Sequence, residues 1–228
     1  MYWLSKDLVF PHPKYADEDG VLAVGGDLSI ERLLLAYENG IFPWYNEGEP
    51  IVWWAPDPRF VLFPSEISVS KSMRKIIRRK TFEVRYDTAF EQVIEACSST
   101  PRLGQSGTWL IPEMIEAYIQ LHQLGLAHSV ETWQDGELVG GLYGVSLGKC
   151  FFGESMFSHR SNASKTALIH LAQTLDKQNY SLIDCQVHTP HVESMGARLI
   201  PRQEFTNYLE KNKKEPTKQE SWSHFATI

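Results

Sequence analysis

The spacing of apolar residues divides the chain into an irregular beginning and a regular remainder. Over residues 1–65 no steady period holds. Aromatic clusters alternate with Pro and Gly, as in Gly40-Ile41-Phe42-Pro43-Trp44-Tyr45 and Val52-Trp53-Trp54-Ala55-Pro56-Asp57-Pro58-Arg59. Prolines withhold the amide donors a helix needs, so short strands and ordered loops are expected there. One helix is expected among them, at 30–39, with Asp27 or Ser29 capping its start, Glu31 in its first turn and Gly40 as a left-handed stop. Residues 1–65 are expected to form a small N-terminal α+β domain and residues 66–228 a larger one.

From Ser68 the pattern becomes regular. It predicts a helix at about 70–80, a second that starts after Asp87 and runs through Ala96, and a third at 112–124 with Pro112 in its first turn and Gly125 as its stop. The runs 127–133, 137–146 and 150–157 read as strands joined by Gln134-Asp135-Gly136 and Leu147-Gly148-Lys149, a meander of hairpins. A helix at 163–177, a strand at 182–187 and short helical pieces at 191–196 and 203–211 follow. Strand, helix and strand in succession imply one parallel pair in an otherwise antiparallel sheet. The fold class is therefore α+β, a mixed, largely antiparallel sheet flanked by helices. The polar stretch 211–220 is expected to fray.

Composition bounds this picture without changing it. With 228 residues, 43% hydrophobic and 12% aromatic, the chain is long enough to bury a sizeable core. No stretch approaches the roughly 18 consecutive apolar residues of a membrane span. The start, Met1-Tyr2-Trp3-Leu4-Ser5-Lys6-Asp7, lacks the basic-then-apolar order of a signal peptide. A cytoplasmic protein with no membrane partner is expected. Cys97, Cys150 and Cys185 form no paired motif and stand in apolar or strand-like surroundings, so they read as core thiols.

Charge does change the picture. The sum of 22 Lys+Arg and 28 Asp+Glu is −6, which by itself speaks against nucleic acid. Residues 71–85, however, hold seven basic residues and one acidic one, a +6 segment on a −12 remainder. On a helix, Lys71, Arg74, Lys75 and Arg78 fall at i, i+3, i+4 and i+7 and form a cationic stripe that Arg79 and Lys80 extend, while Met73, Ile76 and Ile77 turn inward. Such a stripe suits a phosphate backbone. A solvated helix face is the alternative.

Two acidic residues stand where a core is expected. Asp184 lies in Ser181-Leu182-Ile183-Asp184-Cys185-Gln186-Val187, where strand alternation places Asp184 and Gln186 on one face and Cys185 on the opposite one. Glu154 lies in Phe151-Phe152-Gly153-Glu154-Ser155-Met156-Phe157. A carboxylate in so apolar a strand is costly unless it is paired or catalytic, although a strand end at a sheet rim would also hold one. Cys185, His188 and His191 match no closed zinc spacing, and no metal is expected. Gly25-Gly26-Asp27 and Gly140-Gly141 belong to neither of the glycine-rich phosphate patterns. The turn His159-Arg160-Ser161-Asn162-Ala163-Ser164-Lys165 lacks the glycine-rich loop with which acetyl-coenzyme A transferases hold pyrophosphate.

Several segments then resemble one family together: Gly25-Gly26-Asp27-Leu28, Gly40-Ile41-Phe42-Pro43-Trp44, Trp53-Trp54-x-Pro56-Asp57-Pro58-Arg59, Gly107-Thr108-Trp109, Gly153-Glu154-Ser155-Met156-Phe157-Ser158, Asn162-Ala163-Ser164-Lys165 and Ile183-Asp184-Cys185-Gln186. They resemble the leucyl/phenylalanyl-tRNA–protein transferases, in register from about residue 20 to 209. The resemblance implies an N-acyltransferase (GNAT-like) catalytic domain preceded by a smaller N-terminal one, with no cofactor and no coenzyme A. It implies transfer of Leu or Phe from Leu-tRNA or Phe-tRNA to the N-terminal Lys or Arg of an acceptor protein, marking it for the bacterial N-degron route. It also implies that Asp184 and Gln186 perform the proton step. Because a neutral amide is a poor base, the expectation is that the Gln186 carbonyl accepts a hydrogen bond from the incoming α-amine while Asp184 orients it and relays the proton. Leu142, Phe151, Leu168 and Ile183 match the family's apolar pocket for the donor side chain, with Leu142 and Leu171 where other members can carry Met and Phe. Trp44 and Trp109 match aromatics that hold the aminoacyl-adenosine. Glu154 is expected to meet the acceptor's basic side chain or to anchor another polar group, and the helix carrying Lys71 to Lys80 to meet the tRNA backbone.

Two other readings stand beside this one. An acyl-coenzyme A-dependent N-acyltransferase would share the fold but lacks its loop here. An RNA-binding adaptor would use the basic helix and tryptophans but would have no need of Asp184, Gln186 and Glu154.

Overall fold

Residues 2–99 and 110–225 are described by a computed structural model. The N-terminal elements are β1 (Tyr2–Leu4), β2 (Val21–Gly25), α1 (Ile30–Glu38), β3 (Phe42–Pro43) and β4 (Val52–Trp54). Their strands form a sheet in the order β1-β2-β4-β3, with β1 parallel to β2 and the other neighbours antiparallel. Ser29 precedes α1 but makes no side-chain cap; Asp27 Oδ1 instead accepts the Ser29 N–H at 2.9 Å. Gly40, with φ +73°, follows the helix, and a Cβ there would lie 2.7 Å from the Phe205 ring. Backbone hand and close approach both require glycine.

The chain continues through β5 (Arg59–Leu62), α2 (Lys71–Arg78), β6 (Glu83–Tyr86), α3 (Phe90–Ser99), α4 (Pro112–Gln123), β7 (Ala127–Gln134), β8 (Glu137–Leu147), β9 (Cys150–Ser158), α5 (Ala163–Lys177), β10 (Leu182–Gln186), α6 (Pro190–Glu193), β11 (Arg198–Ile200) and α7 (Arg202–Asn212). The second sheet has the order β11-β5-β10-β9-β8-β7-β6. The hairpin meander is β7, β8 and β9, and α5 crosses over to bring β10 parallel to β9, as the alternation of elements predicts. The fold is therefore α+β, with mixed sheets flanked by helices. Among the described residues no helix is long and apolar enough to cross a membrane.

Three strands escape the sequence pattern. All four residues of β5 are buried, so no period-two alternation marks it. It pairs antiparallel with β10 and β11 in the larger sheet, so the expected boundary at residue 65 falls after a strand of that sheet. β6 and β11 are short edge strands of four and three residues. Apolar side chains of the two units, among them Leu22, Tyr37 and Trp53 with Tyr118, Phe152 and Phe205, belong to one continuous buried cluster.

The stretch 211–220 does not fray. Asn212 Oδ1 accepts the Lys149 N–H at 2.6 Å and its Nδ2 donates to Leu147 O at 2.8 Å, while Thr217 Oγ1 accepts the Gly148 N–H at 2.9 Å. Polar side chains that suggest a solvated tail thus satisfy the tight turn between β8 and β9. Beyond them Trp222 is 3% exposed.

Candidate active site

The parallel pairing of β9 and β10 sets Glu154 and Asp184 on neighbouring strands, with Asp184 opposite Phe152. Past Asp184 the strand departs from regular geometry. Its register against β5 shifts between Asp184 and Gln186, and Gln186 has φ +62°, a left-handed conformation uncommon for a side-chain-bearing residue. The expected sharing of one strand face is broken by this irregularity. Asp184 is fully buried and faces Arg59, whereas Gln186 is half-buried and lines a cavity together with Cys185. Cys185, expected in the core, is thus a cavity-wall thiol; burial holds its pKa above the usual range.

Asp184 is neutralised by a cation. Arg59 Nε donates to Oδ1 at 2.8 Å and its second guanidinium nitrogen to Oδ2 at 2.6 Å, a bidentate pair with both side chains removed from water. The guanidinium also lies 4.7 Å from the Phe42 ring centre and 4.8 Å from that of Phe205. Asp184 Oδ1 accepts one further bond, 2.9 Å from the Gln186 backbone N–H. Asp184 therefore holds the irregular backbone that aims Gln186, while its carboxylate does not line the cavity.

Among the described residues no such cation meets Glu154. Tyr37 of α1 reaches Oε1 and Tyr118 of α4 reaches Oε2, each at 2.8 Å, and the two phenols lie 2.6 Å apart. Three oxygen–oxygen contacts in a closed ring need three protons, and the phenols supply two. Burial and the nearby carboxylate hold both tyrosines far above their ordinary pKa, so neither ionises. The third proton belongs on Glu154. Burial accordingly raises its pKa to about 7, with the phenol and amide hydrogen bonds opposing and the Asp184 charge adding to the rise. Gln186 Nε2 donates to Oε1 at 2.8 Å, which turns the amide carbonyl away from Glu154. With two phenols and the Gln186 amide against it, Glu154 is a buried hydrogen-bond hub, not the open anion a salt bridge to an acceptor side chain requires.

Glu154 and Gln186 border a cavity of about 980 Å³. Leu142, Phe151, Leu168 and Ile183 stand together on its wall, with Leu171 and Met156 beside them and Trp44, Glu154 and Gln186 also lining it. Trp109, with Gly107 and Thr108, lies outside the described residues. Lys71, Arg74, Lys75 and Arg78 on α2, and Arg79 and Lys80 just beyond it, are all exposed, and none forms an ion pair among the described residues. They do not line the large cavity. Instead Arg74 and Arg78 border a separate hollow of about 310 Å³ between α2 and α5, while Met73 packs into the cluster containing Leu142, Phe151, Leu168 and Ile183. Among the described residues no group of three or more His, Cys, Asp and Glu could hold a metal ion.

Arg59, Tyr37 and Tyr118 received no role from the sequence. Arg59 carried a usable signal: a lone cation in Arg59-Phe60-Val61-Leu62-Phe63 demands a buried anion, just as Asp184 demands a partner. The tyrosines are ordinary inward positions on their helices until tertiary packing brings them together.

Comparison with known proteins identifies the family. The family model described as Leucyl/phenylalanyl-tRNA protein transferase matches residues 61–210, and the model of that family's N-terminal domain matches residues 26–57. A leucyl/phenylalanyl-tRNA–protein transferase of Flavobacterium johnsoniae is 62% identical over 209 residues, covering 92% of this chain and 99% of the relative. Relatives of the same name from Syntrophus aciditrophicus and Syntrophobacter fumaroxidans are 60% and 54% identical, covering 96% and 97% of this chain and 92% and 95% of their own. This chain belongs to the leucyl/phenylalanyl-tRNA–protein transferase family.

Proposed function

We propose that this chain transfers leucine or phenylalanine from the 3′ end of charged tRNA to the N-terminal Lys or Arg of an acceptor protein. The larger unit is read as N-acyltransferase-like, which the parallel β9–β10 pair and its α5 crossover support; the division between units is placed before β5 instead of at residue 65. An aminoacyl ester is already activated, so the reaction needs positioning and proton management but no coenzyme A. The α-amine attacks the ester carbonyl, the C–N bond forms, the C–O bond to the tRNA 3′ oxygen breaks, and the amine's proton ends on that oxygen. The Gln186 carbonyl accepts a hydrogen bond from the amine. Arg59 and Asp184 hold the Gln186 backbone, Glu154 its amide, and Leu142, Phe151, Leu168 and Ile183 receive the donor side chain, an apolar shape suited to Leu and Phe. Trp44 and Trp109 are assigned to the aminoacyl-adenosine, and Lys71, Arg74, Lys75, Arg78, Arg79 and Lys80 to tRNA phosphates.

The observation that carries this reading is an amide side chain, clamped from two sides, at the edge of an apolar cavity. Incubation with radiolabelled Leu-tRNA or Phe-tRNA and a Lys-starting peptide should yield labelled peptide; no label from either donor would refute the assignment. Reversing Arg74, Lys75 and Arg78 to Glu should weaken charged-tRNA binding and flatten its salt dependence, with the slope falling by about 1 for each phosphate no longer neutralised. An unchanged slope would remove α2 from the tRNA site.

A further inference from the structure

The cavity wall formed by Phe151 is backed by the C-terminal segment, and we propose that Trp222 is a positioning residue that sets how the pocket discriminates leucine from phenylalanine. The inference rests on the donor-pocket reading above. Phe151 is fully buried, and its ring is confined on two sides. On one side lies Gly144 of β8, where a Cβ would fall 2.6 and 2.7 Å from ring carbons of Phe151. On the other is the Trp222 indole, with ring centres 5.7 Å apart and planes inclined by 33°.

Trp222 is itself fixed. Its ring stacks on His128 at 3.8 Å with planes 1° apart, and its backbone N–H donates to Asp87 Oδ2 at 2.7 Å. The strap that delivers it is tied to the β8–β9 turn through Asn212 and Thr217. It then passes over Gly125, where a Cβ would lie 2.7 Å from the Glu220 amide nitrogen. Because interiors are close-packed, a ring so bounded cannot retreat without opening a void. Removing the indole supplies that void, and Phe151 relaxes part of the way into it. The wall recedes, so the larger phenylalanine side chain packs more closely against it and leucine less closely.

The test compares kcat/KM for Leu-tRNA and Phe-tRNA, at fixed acceptor, in the full chain and in Trp222→Ala, Trp222→Leu and Trp222→Phe. The phenylalanine-to-leucine ratio should rise at least about threefold in Trp222→Ala, well within the range that a methylene-sized change in an apolar pocket commands, and return to within about twofold of the parent in Trp222→Phe. A folded Trp222→Ala chain whose ratio stays within about twofold, however much both rates fall, would overturn the proposal, since a merely structural role lowers both donors alike. If near-ultraviolet circular dichroism shows that Trp222→Ala does not fold, Trp222→Leu is judged against the same threefold criterion. Failure of the parent chain to use either donor would overturn the functional reading and this inference with it; an active parent with unmoved variants would overturn this inference alone.

Discussion

Asp184 and Glu154 sit on adjacent strands, are both buried, and both hold Gln186, yet they are stabilised in opposite ways. Asp184 has a formal cation against it and carries its charge in a bidentate pair. Among the described residues Glu154 meets only neutral partners, two phenols and an amide, and shares a ring of three protons that the neutral acid completes. An anion matched by a cation is a fixed anchor. A carboxyl matched by neutral groups keeps its proton to higher pH, and burial raises that of Glu154 to about 7. One arm of the Gln186 clamp is therefore an ion pair and the other a carboxyl sensitive to pH.

The largest expected effect lies on the ion-pair arm. Arg59→Ala leaves Asp184 buried without a cation and empties the space between Phe42 and Phe205, so it should lower unfolding stability by about 3–5 kcal/mol in urea denaturation. A loss under about 1 kcal/mol would show that Asp184 is not held as a buried charge.

Next comes the titrating arm. The folded pKa of Glu154, about 7, lies above its ordinary 4.5, so the folded state binds the extra proton. Its stabilisation is complete below pH 4.5 and is lost as pH rises through 7, a change of roughly 3 kcal/mol. Glu154→Gln should remove that component of the stability–pH curve between those limits; an unaltered curve would mean that Glu154 is ionised throughout. The same variant should keep the preference for N-terminal Lys and Arg, because the hub does not meet the acceptor side chain. Loss of that preference would restore the salt bridge to the acceptor.

The smallest effect is expected from Tyr37→Phe, which removes the hydroxyl's hydrogen bonds to the carboxyl and to Tyr118 and should cost about 1–2 kcal/mol. Since that bond lowers the Glu154 pKa, the variant should move any ionisation assigned to Glu154 to higher pH. A shift to lower pH would show instead that the Tyr37 hydroxyl stabilises the protonated acid.

Much of the framework is legible in the chain. Helices α1, α2, α4 and α5 lie within a residue or two of their expected spans, because amphipathic spacing and stop signals such as Gly40 and Gly125 act locally. The meander and the parallel crossover follow from the order of elements. β5 is hidden because burial on both faces erases alternation, and the strap at 211–220 because Asn212 and Thr217 find their partners in a turn more than 60 residues away.

The site divides along the same line. The order of residues alone places Glu154 and Asp184 in apolar strands, where burial demands partners, and Lys71 to Arg78 on one cationic face; the side-chain pocket is implied by the family resemblance. Which partner each carboxylate receives is settled by the fold. Arg59 is 125 residues from Asp184, and Tyr37 and Tyr118 are 117 and 36 from Glu154. Desolvation is a local cost, readable from neighbouring residues, whereas the groups that offset it are chosen by packing, which brings together positions with no periodic relation along the chain.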